Sequence, residues 1–391
     1  MENAFLTPDH FRLAAEAWAF ARDSVAPAAA AEEEGDVDSL ARRFIQRMAE
    51  AGLLRRCVPG AWGGATDLVD VRSLCLIREA LAYASGLCDA MFALQGLGSG
   101  PISFFGDEAQ RKAWLPKVVA GKAIAAFALT EPGAGSDLSM VQTSARRENG
   151  HYVLNGVKRF ISNAGIADFY VVFARTGEAT GKAQLSAFIV QADNPGLRIQ
   201  ERMELIAPHP IGEIGLEGCR LPHSALIGAE GQGLAIALST LDTFRPTVGA
   251  AALGLARRAL DETLDHVTQR VQFGGPLSEQ QGVQFMLADM ATELDAARLL
   301  VYRAAHRKDM GQARITLEAA MAKSFATEAA QRIVDRAVQL HGGNGVVRGF
   351  EVERLYREVR ALRIYEGATE VQKLIVAREL LRHHRAKAEK E

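Results

Sequence analysis

FALTEPGAGSD, residues 127–137, stands where the chain changes texture. Upstream, FRLAAEAWAFARDSV and LARRFIQRMAEAG space their apolar residues by three and four, which predicts helices. Gly52 supplies a helix stop after the second. VPGAWGG is a glycine-rich loop, and RSLCLIREALAYAS and DEAQRKAWLPKVVAG are further helices. Downstream, HYVLNGVKRFIS, FYVVFART and QLSAFIVQ are β-rich runs punctuated by Gly, Pro and Asn. Asn155-Gly156 predicts a type I′ hairpin turn inside the first of them. From Gly231 the helical spacing returns in three long runs, one carrying the small-residue surface GAAALGLA. The order helical, β, helical predicts an α+β protein that is mostly α. Its expected domains are an N-terminal helical domain over 1–122, a central β domain over 123–232 and a C-terminal helical domain over 233–391.

A chain of 391 residues exceeds the size at which a single core stops growing, so two or three packed units are expected. The formal net charge is -2, and no basic stripe is interleaved with aromatics, so a nucleic-acid partner is not expected. Cys57, Cys75, Cys88 and Cys219 form no C-x-x-C pair and fit free thiols in a reducing compartment. The one adjacent histidine pair, His383-His384, lies in the charged C-terminal tail, and no metal site is expected. The N-terminus carries acids early, and no apolar run approaches the ~20 residues that span a bilayer. A cytoplasmic protein free of membranes is the expectation.

Within residues 127–137, Gly133 and Gly135 allow a ligand close to the backbone, and Thr130 and Ser136 offer hydroxyls. A Pro-Gly turn at a domain joint accounts for the same residues. A P-loop is excluded because no Gly-Lys-Ser/Thr follows, and a dinucleotide fingerprint because no strand–glycine–helix unit surrounds it.

Five motifs, in order along essentially the whole chain, resemble the acyl-CoA dehydrogenase family of flavoproteins. They are LTEPGAGSD; KRFISNAGIADFYVVFAR, with Phe160 and Ser162 where the family usually has Trp and Thr; RVQFGGPLSEQQ; QLHGGNGV; and IYEGATEVQKLIVARELL. The resemblance implies an N-terminal helical domain, a central β-barrel-like domain and a C-terminal four-helix bundle. It implies FAD, held between the β domain and the C-terminal helices. Phe127, Leu129, Thr130, Gly135, Ser136, Phe160 and Ser162 match flavin-side positions. Arg270, Phe273, Gln281, Gln339, Gly342 and Gly343 match contacts to the FAD pyrophosphate and adenine that cross between subunits, which implies a homotetramer built as a dimer of dimers. Ala368, Thr369 and Glu370 also match cofactor-side positions. A guanidinium and bare glycine amides suit a pyrophosphate.

The last motif contains RIYEGATEVQ, residues 363–372. Thr369 and Gln372 have the spacing of a capping box, so a helix is predicted to begin near Thr369, with Glu366 on the loop before it. The resemblance puts Glu366 on the catalytic base of the medium- and short-chain branches. A second branch carries its base where this chain has Phe244, which cannot take a proton. Ser136, Asp242, Arg245, Tyr365 and Gly367 match substrate-side positions. Asp242 and Arg245 lie three apart on one helix face, where they would also make an ion pair. The implied reaction converts an acyl-CoA to its trans-2-enoyl-CoA and passes electrons to an electron-transfer flavoprotein.

The chain departs from the family in MELIAPHPIGEIGLEGCRLP, where Ala207 takes a usual Arg position with Pro208, His209 and Pro210 around it. His266 stands where Tyr is common, and REVR replaces a usual Arg-Asp start. These departures leave the acyl group open, as well as the choice between CoA and acyl-carrier-protein thioesters. A flavin-dependent monooxygenase or oxidase on the same scaffold, and a non-catalytic acyl-CoA binder, are the alternatives.

Overall fold

The computed structural model of the protein describes residues 4–29, 36–177 and 184–388. The first acid and the last residues of the charged tail lie outside that range. The chain divides into two compact units, one made of Met1–Ala29, Val71–Asp89 and Asp242–Glu391, the other of Ala30–Asp70 and Ala90–Leu241.

The second unit carries an eight-stranded sheet. Its strands are β1 (Ala125–Ala128), β2 (Ser144–Glu148), β3 (His151–Ser162), β4 (Phe169–Arg175), β5 (Leu185–Gln191), β6 (Leu197–Arg202), β7 (Ile211–Pro222) and β8 (Leu226–Ile227). They run in the order β6-β7-β3-β2-β4-β5-β8, and β1 lies parallel to β4. β4 and β5 are buried along nearly their whole length, which is why both read as continuous apolar runs.

The expected turn at Asn155-Gly156 is not there. His151–Ser162 is one unbroken strand, and the pairing of β3 with β7 slips between Leu154 and Gly156. Gly156 is a bulge, with φ +150°, and a Cβ on it would sit 2.5 Å from the Thr143 hydroxyl. The hairpin turn falls one motif earlier, at Asn149 and Gly150, whose φ values of 49° and 78° link β2 to β3. Both Asn-Gly pairs have turn chemistry, but only the first lies where two strands can fold back in register.

The first unit is helical. Its core joins Val71–Ala84, Gln281–Asp309, Thr316–His341 and Glu351–Leu362 with the part of Gly233–Gln269 beyond Asp242. The small residues of GAAALGLA do what their size allows. A Cβ on Gly249 would lie 2.7 Å from Val301 Cγ2, and one on Gly254 would lie 2.3 Å from the Glu79 carbonyl oxygen. Neighbouring backbones therefore approach closely enough to fix this helix in its groove. Among the described residues, no helix is long and apolar enough to cross a membrane, and no cluster of three metal-ligating side chains occurs. All four cysteines are buried and stand outside any disulfide.

Candidate active site

Glu366 has φ +52°, in the left-handed region that a non-glycine residue seldom adopts, and Gly367 follows at φ +92°. Strain of this kind needs outside support. The Gln372 side-chain amide donates to the carbonyls of Gly367 (2.9 Å) and Glu366 (3.3 Å). Lys323 reaches across from the Thr316–His341 helix and donates to the same Gly367 carbonyl at 2.9 Å.

The helix begins at Thr369 as expected, but the capping box does not form. The Thr369 hydroxyl donates to Glu328 at 2.7 Å, and Arg363 binds the same oxygen at 2.8 Å. The two amides of the box go to backbone carbonyls instead, Gln372 N–H to Ala368 at 3.0 Å and Thr369 N–H to Arg363 at 3.1 Å. Gln372 is left to hold the loop carbonyls, so the residues that signalled a helix start secure the loop that carries Glu366.

Around Glu366 the first unit assembles three cations. Desolvation pushes the Glu366 carboxyl above its ordinary value, and Arg78, Lys323 and Arg245 pull it back in that order. Lys323 is fully buried, and burial lowers its pKa to about 8 against the attraction of Glu366. Glu366 Oε2 and Arg245 Nε are both buried without a hydrogen-bond partner. Arg245 Nη1 donates to Asp242 at 2.5 Å, and Thr316 donates to the other Asp242 oxygen at 2.5 Å. The helix-face ion pair is therefore real, and Asp242 holds Arg245 in place. Phe244, on the same helix, is buried.

The second-unit residues expected on the flavin side lie on β1, on the turn that follows it and at the end of β3. Glu131 exchanges backbone hydrogen bonds with Ala134 and takes a buried ion pair from Lys158 at 2.8 Å. Glu131 also accepts from the amides of Gln142 (2.6 Å) and Thr143 (3.0 Å), so the loop's acid is its anchor. Neither Gly133 nor Gly135 has positive φ, and a Cβ on either would meet nothing within 4 Å. Their open flank leaves room for a ligand, which fits a cofactor lying along the loop. Phe160 is exposed, with φ +56°, and the Arg159 guanidinium lies 5.3 Å from its ring centre. Phe127 packs on Phe173 with ring centres 4.9 Å apart. The Ser162 hydroxyl is 2.7 Å from His209 Nε2, and burial lowers the His209 pKa to about 4. The departure at residues 207–210 thus places an imidazole against Ser162, a serine expected on the flavin side.

The residues expected on the pyrophosphate and adenine side belong to the first unit and are exposed: Arg270, Phe273, Gln281, Gln339, Gly342 and Gly343; of the other expected cofactor-side residues there, Ala368 is half-buried, Thr369 buried and Glu370 exposed. Arg270 has no ion-pair partner among the described residues, as an anion-binding arginine requires. Gly342 has φ +58° and open space around it. His266 stacks on His341 with centroids 4.3 Å apart. The donor types fit a dinucleotide: exposed aromatic rings, hydroxyls, a free guanidinium and unhindered glycine backbone.

Sequence reasoning missed Arg78, Asp89, Lys323 and the tether made by Gln372. Each ion left a trace: Arg78 interrupts LCLIREAL, Asp89 interrupts GLCDAMFAL, and Lys323 interrupts AAMAKSFA. A charge within an apolar helical stripe has to find a partner inside the protein.

A strained loop carboxylate facing buried cations in the helical unit, and a glycine loop with an open flank in the β-sheet unit, have the chemistry that a flavoprotein dehydrogenase needs. Family comparison agrees along the chain. The acyl-CoA dehydrogenase N-terminal domain matches residues 7–122, the middle domain residues 126–219 and the C-terminal domain residues 231–381. The chain belongs to the acyl-CoA dehydrogenase family, whose members use FAD. It is 40% identical to an acyl-CoA dehydrogenase of Bacillus subtilis over 93% of this chain and 95% of that protein. Butyryl-CoA dehydrogenase from Megasphaera elsdenii superposes with TM-score 0.91 at 35% identity, covering 96% of this chain and 99% of that one. An FAD-complexed acyl-CoA dehydrogenase from Bacillus anthracis superposes at TM-score 0.90 and 32% identity, covering 97% of this chain and 68% of that one.

Proposed function

We propose that this acyl-CoA dehydrogenase uses Glu366 as the general base that removes the α-proton of an acyl-CoA, giving the trans-2-enoyl-CoA. One observation carries the reading: Glu366 Oε2 is buried without a partner, on a left-handed residue held from both sides, among three cations. A structural carboxylate in that setting would be paired. A base must keep a free lone pair for the incoming proton.

Bound FAD supplies the hydride acceptor for the β-carbon. The chain's own residues do the rest. Gln372 and Lys323 hold the loop so that Glu366 keeps its geometry. The Glu366 amide, ahead of the Thr369–Ala388 helix, donates to the thioester carbonyl and stabilises the enolate that forms as the proton leaves. Arg245, fixed by Asp242, lies beside the base, and Tyr365 and Gly367 border the acyl group. On the cofactor side we assign Phe127, Leu129, Thr130, Gly135, Ser136, Phe160, Ser162, Ala368, Thr369 and Glu370. Arg270, Phe273, Gln281, Gln339, Gly342 and Gly343 serve the pyrophosphate and adenine of a neighbouring subunit in a homotetramer. An electron-transfer flavoprotein is the acceptor, the setting is cytoplasmic, and the domains run over 1–122, 123–232 and 233–391.

Anaerobic mixing with a panel of acyl-CoAs, followed by flavin bleaching, tests the reading. Glu366→Gln should retain FAD and bind acyl-CoA, yet slow flavin reduction by about 10²–10⁴-fold, the usual loss for a general base. Reduction at the wild-type rate would assign the proton to another group.

A further inference from the structure

Arg78 and Asp89 form a buried ion pair that the reaction above does not use. Arg78 is 2% exposed and Asp89 4% exposed. The contact is bidentate, Nε to Oδ1 at 2.8 Å and Nη2 to Oδ2 at 2.7 Å. The third nitrogen, Nη1, donates to the Thr247 hydroxyl at 2.9 Å, and that hydroxyl donates to the Phe244 carbonyl at 2.7 Å. Arg78 therefore ties the Val71–Ala84 helix to the start of Gly86–Phe105 and to the turn of Gly233–Gln269 that carries Arg245.

Burying two charges costs more than their attraction usually returns, so an apolar pair would pack here more cheaply. The position of the pair suggests why it is kept. Of the charges facing Glu366, Arg78 attracts it most, followed by Lys323 and Arg245, while Asp89 repels it. Tyr365, beside the base, also feels Arg78 and Asp89. Lys323 further faces Glu328 and Glu370. A guanidinium free to move onto a carboxylate pairs with it and takes the lone pair that the proton needs. Asp89 and Thr247 occupy three nitrogens of Arg78 and leave Glu366 Oε2 unpartnered.

We infer that Arg78 and Asp89 are positioning residues for the base: Asp89 restrains Arg78 so that its charge acts on Glu366 through space without pairing with it. This rests on Glu366 being the base.

The test is stopped-flow flavin reduction by a saturating acyl-CoA across pH, on holoenzyme of wild type, Asp89→Asn and the double variant Arg78→Met/Asp89→Leu. Flavin content and thermal unfolding are measured alongside. The protonated-carboxyl infrared band of Glu366, identified by its loss in Glu366→Gln, gives a second readout. A carboxyl whose pKa stands above its ordinary value loses its base form as pH falls through that raised pKa, so the acid limb of the rate reports it.

The double variant removes the attracting charge together with its partner. It should keep FAD, and its acid limb and infrared titration should move up by about one pH unit. Asp89→Asn releases Arg78 toward Glu366. Both readouts should then move down, and the plateau rate should fall about tenfold with little change in KM. Wild-type titration in both variants overturns the inference. Should the double variant fail to fold, Asp89→Asn decides alone. If Glu366→Gln reduces its flavin at the wild-type rate, the base assignment fails. If Glu366→Gln is slow while the pair variants titrate like wild type, only the positioning role fails.

Discussion

At the scale of single residues, two positions show what a backbone conformation is for. Glu366 takes a left-handed φ to present its carboxylate, and the strain is borne by three hydrogen bonds from Gln372 and Lys323 to the loop carbonyls. Gly156 takes an unusual φ for packing alone. Besides the 2.5 Å approach to the Thr143 hydroxyl, a Cβ would lie 2.7 Å from Thr143 Cα, which is backbone and cannot swing aside. Gly156→Ala should therefore destabilise the protein by about 2–4 kcal/mol, with positive-φ strain adding to the clash. Denaturant unfolding would show it as a lower midpoint at unchanged m-value. A change below about 0.5 kcal/mol would mean that the bulge relaxes freely. The same residue shows how far a sequence pattern reaches. Asn155-Gly156 and Asn149-Gly150 carry identical turn chemistry, and only long-range pairing of β3 with β7 across the first of them distinguishes bulge from turn.

At the scale of elements, the loop of residues 363–369 and the helix after it work as one unit. Gln372 is fully buried, and its amide nitrogen serves only the loop. Replacing it with Leu keeps the size and removes both bonds. The expected result for Gln372→Leu is retained FAD, a loss of stability of about 1–3 kcal/mol and a fall in flavin-reduction rate larger than the rise in KM. A normal rate would show that Lys323 alone secures the base. Much of this element was legible in advance: the helix start, the loop and the carboxylate all follow from residues 363–372. The partners were not, because Lys323 and Glu328 are 35 to 44 positions from the residues they hold and reach them only once the helices pack. What the sequence does show is a set of charges in apolar stripes, at Arg78, Asp89 and Lys323. All three lie in the electrostatic surroundings of Glu366. The family motifs report residues that relatives share, whereas Asp89 and His209 lie outside every one of them.

At the scale of the whole molecule, the helical unit exposes large apolar groups that a lone chain has little reason to display. A short hairpin pairs Val271–Gln272 with Gly275–Pro276, and at its tip Phe273 is 94% exposed. Its φ of +54° turns a bulky aromatic residue outward at a conformational cost. Val271, Val346 and Leu374 are more than half exposed as well. Surfaces of this kind serve contact with another chain or a ligand. Phe273 is three residues from Arg270, whose guanidinium has no ion-pair partner among the described residues, so one hairpin would present both a ring and an anion-binding group. If that hairpin completes the cofactor site of a neighbouring subunit, assembly and FAD retention must fail together. Phe273→Asp should then elute as a smaller species in size-exclusion chromatography with light scattering. Its flavin-to-protein ratio should fall, and added FAD should restore both in proportion. The variant should stay folded by circular dichroism, because Phe273 makes little contact with its own chain. An assembly of wild-type size with full flavin content would place the pyrophosphate contact elsewhere. A smaller species that keeps its FAD would separate assembly from cofactor binding, leaving Phe273 to the interface alone.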